Sequence, residues 1–216
     1  MAEIYESVPD VNKKSKLKNF YESNKILIFS FITIMLILIF FFLFYFEKKE
    51  EKKVLLSENF IQAKIYLGSK NNEKAINILK SIIDSNDYTY STLSLFLIVN
   101  QNLIKNKNEV AELFSQVLEN NKLNKELRNL LIFKKAVYES SYVTESEILK
   151  STEFLISKDN ETLWRPHALL LLGDYFVSKN EYLKAKEFYL QILLIKNLHA
   201  NLYEKAKSQL IIIENK

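Results

Sequence analysis

Cysteine is absent from the chain, which excludes disulfide frameworks, thiolate nucleophiles and cysteine-ligated metal centres. Glycine occurs only at Gly68 and Gly173, and two isolated glycines cannot build a phosphate-cradling loop. His167 and His199 are the only histidines. They stand in different segments, with neither an H-x-x-x-H spacing nor an acidic partner set beside either, so metal ligation and histidine base chemistry are not expected. A hydrolase built on paired carboxylates stays open on composition alone. No carboxylate sits in a context that predicts a raised pKa, however, so the expectation is a protein without enzymatic activity, metal or cofactor.

Charge of one sign is also scarce. The net charge is +4, and lysines alternate with glutamates along most of the chain, which describes a solvated surface and leaves no phosphate-binding face for nucleic acid. Lys, Asn and Ile are over-used while Gly, Pro and Arg are rare, a bias that weakens arguments from single lysines. Arg128 and Arg165 therefore stand out.

What the chain has in plenty is one apolar run, Ile26 to Phe46, relieved only by Ser30, Thr33 and Tyr45. At about 1.5 Å of rise per residue, a helix of this length covers the roughly 30 Å hydrocarbon core of a bilayer with its backbone groups internally satisfied. A cleavable signal peptide has a shorter apolar region, about 7 to 15 residues, and closes on small residues. This run passes through aromatics into Glu47-Lys48-Lys49-Glu50. A buried core helix keeps a polar stripe, and this run has none. The expectation is an uncleaved single span.

The span divides the chain into a charged tail (residues 1–25), the membrane helix (26–46), a charged juxtamembrane helix or linker (47–53) and a domain from 54 to 216. Lys13, Lys14, Lys16, Lys18 and Lys25 on one side balance Lys48, Lys49, Lys52, Lys53 and Lys64 on the other, so charge does not set the orientation. Length favours a cytoplasmic N-terminus, because a short tail stays put while a long C-terminal domain is translocated largely regardless of charge. Leu17, Phe20 and Tyr21 share a helical spacing beside lysines, which suits a tail lying on lipid headgroups; a disordered tail is the alternative.

Beyond residue 53, apolar residues recur at spacings of three and four between Asn-rich turns. The pattern predicts helices at Val54 to Leu67, Glu73 to Asp84, Thr89 to Ile104, Glu109 to Glu119, Lys125 to Glu139, Glu145 to Ile156, Arg165 to Val177, Tyr182 to Ile195 and Ala200 to Ile213. Thr144 and Glu147 have capping-box spacing. Asn108 and Asp159-Asn160 offer caps to the helical segments after them, and Pro166 suits a first helical turn. No strand pattern competes.

The clearest internal signal runs from Leu169 to Tyr189. Leu169, Leu172-Gly173 and Phe176 fall on the tetratricopeptide pattern W-x-x-L-G-x-x-Y, and Ala185 with Tyr189 falls on A-x-x-x-F. Small Gly173 and Ala185 let two antiparallel helices approach, with Phe176 and Tyr189 filling the space beside them. Ser178-Lys179-Asn180 before Lys184-Ala185 is echoed by Ser69-Lys70-Asn71 before Lys74-Ala75, one residue shorter, and by Lys105-Asn106 before Val110-Ala111. The expected fold is therefore all-α: a single N-terminal transmembrane helix followed by about four degenerate tetratricopeptide-like pairs stacked as a solenoid. An irregular bundle with one accidental repeat is the alternative.

Glu3-Ile4-Tyr5-Glu6, Phe20-Tyr21 with Asn24-Lys25 directly before a single span, and Trp164-Arg165-Pro166-His167-Ala168 leading into the last good repeat resemble the ancillary SecYEG translocon subunit family of YfgM type. The resemblance covers the layout of the whole chain, although its motifs are short. It implies a single-pass inner-membrane protein of bacteria with a cytoplasmic N-terminus and a periplasmic repeat domain. The implied partners are the SecYEG channel, a PpiD-type periplasmic chaperone and exported client chains. The sequence departs from the pattern at the turn between the repeat helices, where Asn180 replaces the usual Gly; Asn tolerates the left-handed backbone second best.

Trp164 and Arg165 are the candidate partner-binding residues, because Trp and Arg concentrate binding energy at interfaces. Packing of Trp164 under the preceding helix is the competing reading. The expected function is a membrane-anchored protein-binding module assisting exported chains; an envelope-assembly or cell-division scaffold using the same repeats is the alternative.

Overall fold

The computed structural model describes residues 11–120, 122–157 and 162–215, with side chains from residue 18 onward. The tail motif Glu3-Ile4-Tyr5-Glu6, the side chain of Leu17 and the cap at Asp159-Asn160 lie outside the described residues. Among the described residues there are nine helices and no strand: α1 (Val11–Gly68), α2 (Asn72–Asp84), α3 (Tyr88–Asn100), α4 (Lys107–Leu118), α5 (Lys125–Glu139), α6 (Glu145–Ile156), α7 (Arg165–Ser178), α8 (Tyr182–Leu193) and α9 (Ala200–Glu214). The chain divides into two units, residues 1–55 and 56–216.

The first unit carries the apolar run of α1. Every side chain from Phe29 to Phe46 is exposed, and this is a helix long and apolar enough to cross a membrane. The Thr33 hydroxyl donates to the Phe29 carbonyl oxygen at 2.8 Å, so its polar group is satisfied inside its own helix. Residues 47–53 are helical as well, with Lys48 paired to Glu51 at 3.0 Å.

The second unit packs in chain order. Each of α2 to α8 lies against the next helix, and further contacts skip a single helix: α2 with α4, α5 with α7 and α7 with α9. Two buried cores result. One gathers Ala63, Leu79, Leu95, Phe114 and Leu131; the other gathers Ala136, Ile148, Leu169, Tyr189 and Ile213. Helix α5 contributes to both.

Polar side chains set most helix starts. Asn71, Asp87, Asn106, Asn124 and Thr144 each accept a hydrogen bond from first-turn backbone N–H groups, which have no intrahelical partner. Thr144 and Glu147 form the expected capping box, and Pro166 stands in the first turn of α7. The cap of α4 corrects the expectation: Asn106, not Asn108, receives the N–H groups of Asn108 and Glu109. Two helices also end more than one residue early. Helix α3 stops at Asn100 because Asn102 turns to φ 49 and the N–H groups of Asn102 and Leu103 close on the carbonyls of Val99 and Ile98. Helix α8 stops at Leu193, ahead of Asn197 at φ 56.

Candidate functional site

The residues of the repeat motif meet in the α7–α8 pair. Ring contacts show its antiparallel sense: Phe176, near the end of α7, stacks on Phe188 with centroids 5.4 Å apart, while Gly173, a turn earlier, lies against Tyr189, a residue later. The packing is more specific than a close crossing of Gly173 and Ala185. A Cβ at Gly173 would stand 2.7 Å from Cδ1 and Cζ of Tyr189, and Cε1 would be nearer still. The glycine is a slot for the tyrosine ring. Tyr189 is fully buried, and its hydroxyl donates to Asp174 Oδ1 at 2.7 Å. Burial, reinforced by that carboxylate, raises the phenol pKa. Leu169, Leu172, Phe176 and Ala185 are buried in the same core.

The turns that position these helices use Asn where glycine is scarce. Asn180 has φ 62, and the N–H groups of Asn180 and Glu181 bond the carbonyls of Val177 and Phe176, a Schellman closure. Lys70, at φ 61, closes α1 onto Leu67 and Tyr66 in the same way, and Asn102 closes α3. This corrects the echo of Ser69-Lys70-Asn71 with Ser178-Lys179-Asn180. The left-handed residues are Lys70 and Asn180, and Asn71 is instead the cap of α2. Counting from the caps at Asn71, Asn106, Thr144 and Glu181, the fourth residue onward is Ala75, Val110, Ile148 and Ala185. All four are buried. In α4 the buried residue at this distance from the cap is Val110, and Ala111 beside it is only partly buried.

Trp164 and Arg165 begin α7. Trp164 is the cap residue without a side-chain cap bond; its ring stacks on Phe133 of α5 at 5.4 Å and tilts against His167 at 5.3 Å. This places its ring against α5. Arg165 donates through Nε to the Ile156 carbonyl oxygen, at 3.2 Å, at the end of α6. Arg128 acts alike on α4, with Nη1 on the Leu118 oxygen at 2.6 Å and Nη2 on the Asn120 oxygen at 2.9 Å. Both arginines of the chain satisfy carbonyls where a helix ends and partial negative charge collects.

Arg165 also lines an open cleft of about 1020 Å³. Its walls are Leu163, Arg165 and Pro166 at the entry to α7, Leu194 to Asn197 with Gln191 at the end of α8, and Glu126 at the start of α5. Leu163 is 75% exposed and Leu194 81% exposed, so two large apolar side chains stand in water. The repeat pattern and the Trp164-Arg165 pair do not by themselves reveal this cleft. The run Leu193-Leu194-Ile195 held a signal, since three successive apolar residues on a helix cannot all face one core.

His167 Nδ1 lies 3.3 Å from the Leu163 oxygen, and His199 is the cap residue of α9, without a side-chain cap bond. Among the described residues no group of His, Asp or Glu is arranged to hold a metal. The groups with displaced pKa outside the α7–α8 interface include Glu139, raised by burial despite Lys135, and Tyr142, pushed up to about 12 by burial and then by Glu139 and Tyr138. Neither lines the cleft. The cleft combines apolar side chains with Arg165, Lys196 and Glu126. Neither a protein-family model, nor a curated protein, nor a solved structure matches the sequence.

Proposed function

We propose that this chain is a single-pass membrane protein whose domain from residue 56 onward is a degenerate tetratricopeptide-like stack used to bind other proteins. It serves as an accessory subunit of a SecYEG translocon on the periplasmic face of a bacterial inner membrane, with its N-terminus in the cytoplasm. The observation that carries the reading is the serial packing of α2 to α9, in which the helices pack on their first and second neighbours along the chain, as stacked repeats do. The buried position four residues after the cap in α2, α4, α6 and α8 supports the repeat. The apolar run of α1 supports the anchor. Confinement to a membrane raises the effective concentration of the domain near a channel, so each contact with a passing chain can be weak. The channel, the PpiD-type chaperone and exported clients come from the resemblance of the tail and of Trp164 to Ala168.

The test combines topology with recovery of partners. Single cysteines at Ser7 and Ser178 are labelled in intact cells with an impermeant thiol reagent, and the tagged protein is purified after crosslinking. Labelling of Ser178→Cys alone, with channel subunits recovered, is expected. Labelling of Ser7→Cys alone puts the domain in the cytoplasm and ends the export reading. Recovery of division or assembly proteins in place of the channel favours a scaffold.

A further inference from the structure

We infer that the cleft at the start of α7 docks an acidic, leucine-rich stretch of polypeptide, in which a carboxylate side chain sits among bulky apolar ones. The assignment rests on the reading of the domain as a protein-binding module and names what that module selects. Leu163 and Leu194 supply the apolar contact; both are more than two-thirds exposed, at 75% and 81%, although neither helps to hold a core. The cleft they help to line, about 1020 Å³, admits several side chains.

Charge selects the carboxylate. Arg165 uses Nε to hold the Ile156 oxygen, and among the described residues no hydrogen bond engages its Nη atoms. That leaves the outer edge of a planar guanidinium free to take a carboxylate through two parallel hydrogen bonds. Lys196 is a second cation on the wall. The first turn of α7 has no side-chain cap, so its partial positive charge adds to both. Among the described lining residues Glu126 is the one opposing carboxylate, and it sits in the first turn of α5, whose own N-terminal dipole offsets it. A free anion would match the cations but waste the leucines, whereas a wholly apolar segment would leave the Arg165 edge desolvated and unpaired.

The test uses the full chain in lipid nanodiscs, with empty nanodiscs as the blank, and fluorescein-labelled, amidated peptides in which one Glu among leucines is kept or replaced by Gln. Anisotropy is expected to show the Glu peptide binding about tenfold tighter, equivalent to about 1.4 kcal/mol. Leu194→Ser and Leu163→Ser, at exposed positions that do not support the fold, each weaken it about fivefold or more. Arg165→Gln removes the preference for Glu over Gln. Because Arg165 also holds α6, Lys196→Gln provides a second variant, which lowers the same preference while leaving helicity unchanged. Equal affinity for the two peptides, or undiminished binding by both leucine variants, overturns the assignment. Recovery of the channel is scored separately. Carboxylate-dependent binding without channel recovery sinks the export reading and leaves the cleft assignment standing; channel recovery without it does the reverse.

Discussion

Replacing Gly173 by alanine should destabilise the second unit, although alanine is the better helix former. A methyl group there must occupy space held by the Tyr189 ring, 2.7 Å from two of its atoms. The ring cannot slide freely, because it is fully buried and tied through its hydroxyl to Asp174 at 2.7 Å. Overpacking costs about 2 kcal/mol and a weakened bond to a carboxylate about 1 to 2 kcal/mol, against a gain of about 1 kcal/mol in helix propensity, for a net loss of about 2 to 3 kcal/mol. At roughly 2 to 4 °C per kcal/mol for a domain of this size, the melting temperature should fall by about 4 to 12 °C. The assay is circular dichroism of the full chain in mild detergent, with thermal and urea transitions. Tyr189→Leu removes the obstructing ring, so the double variant should be more stable than the sum of the single losses by about 1 kcal/mol or more. Gly173→Ala unfolding at or above the wild-type midpoint, with an unchanged urea slope, would refute the slot argument.

Gly68→Ala is the matched control: nothing lies within 4 Å of a Cβ there, and stability should rise by about 0.5 kcal/mol in the same titration. Lys70→Gly should stabilise by about 0.5 to 1 kcal/mol by relieving a left-handed lysine at φ 61. Asn180→Gly should gain less, since Asn tolerates that conformation and the Tyr182 hydroxyl bond to Asn180 Oδ1, at 3.0 Å, would be lost. Arg128→Ala leaves the carbonyl oxygens of Leu118 and Asn120 without their charged donor and should cost about 2 to 3 kcal/mol by urea titration. Glu139 has a folded-state pKa raised above its ordinary value, chiefly by burial. Its contribution is therefore fully present below the unfolded carboxylate pKa and lost as pH rises through the folded one. Glu139→Gln should melt above wild type at pH 7, with the gap closing as pH falls through the carboxylate range.

Much of this architecture follows from local pattern. The unbroken apolar run, the three-and-four spacing beyond it and the Thr144 to Glu147 box all depend on neighbours within a turn or two. The same holds for Asn180, whose left-handed turn follows from its place between two helical patterns. Where two residues compete for one local role, pattern decides less. Asn106 and Asn108 both precede the apolar face of α4, yet only Asn106 has Glu109 three residues later, the spacing that marks a cap. The cleft is harder still: Leu163 lies in an irregular segment and Leu194 at a helix end, so no periodicity links them. The carbonyl contacts of Arg128 and Arg165 likewise depend on where the preceding helix stops, to the single residue.

Because α5 supplies residues to both cores of the second unit, and because α2 to α9 find their partners close by in the chain, folding requires few distant encounters. Topologies of this kind cross their barrier quickly. A polypeptide delivered N-terminus first can close the core around Phe114 once Leu131 has arrived, with α6 to α9 still to come. The second core can then grow on the preformed α5 through Ala136. Hydrogen exchange should accordingly resolve two cooperative blocks that part within one helix, and the later block should be the one that carries the cleft.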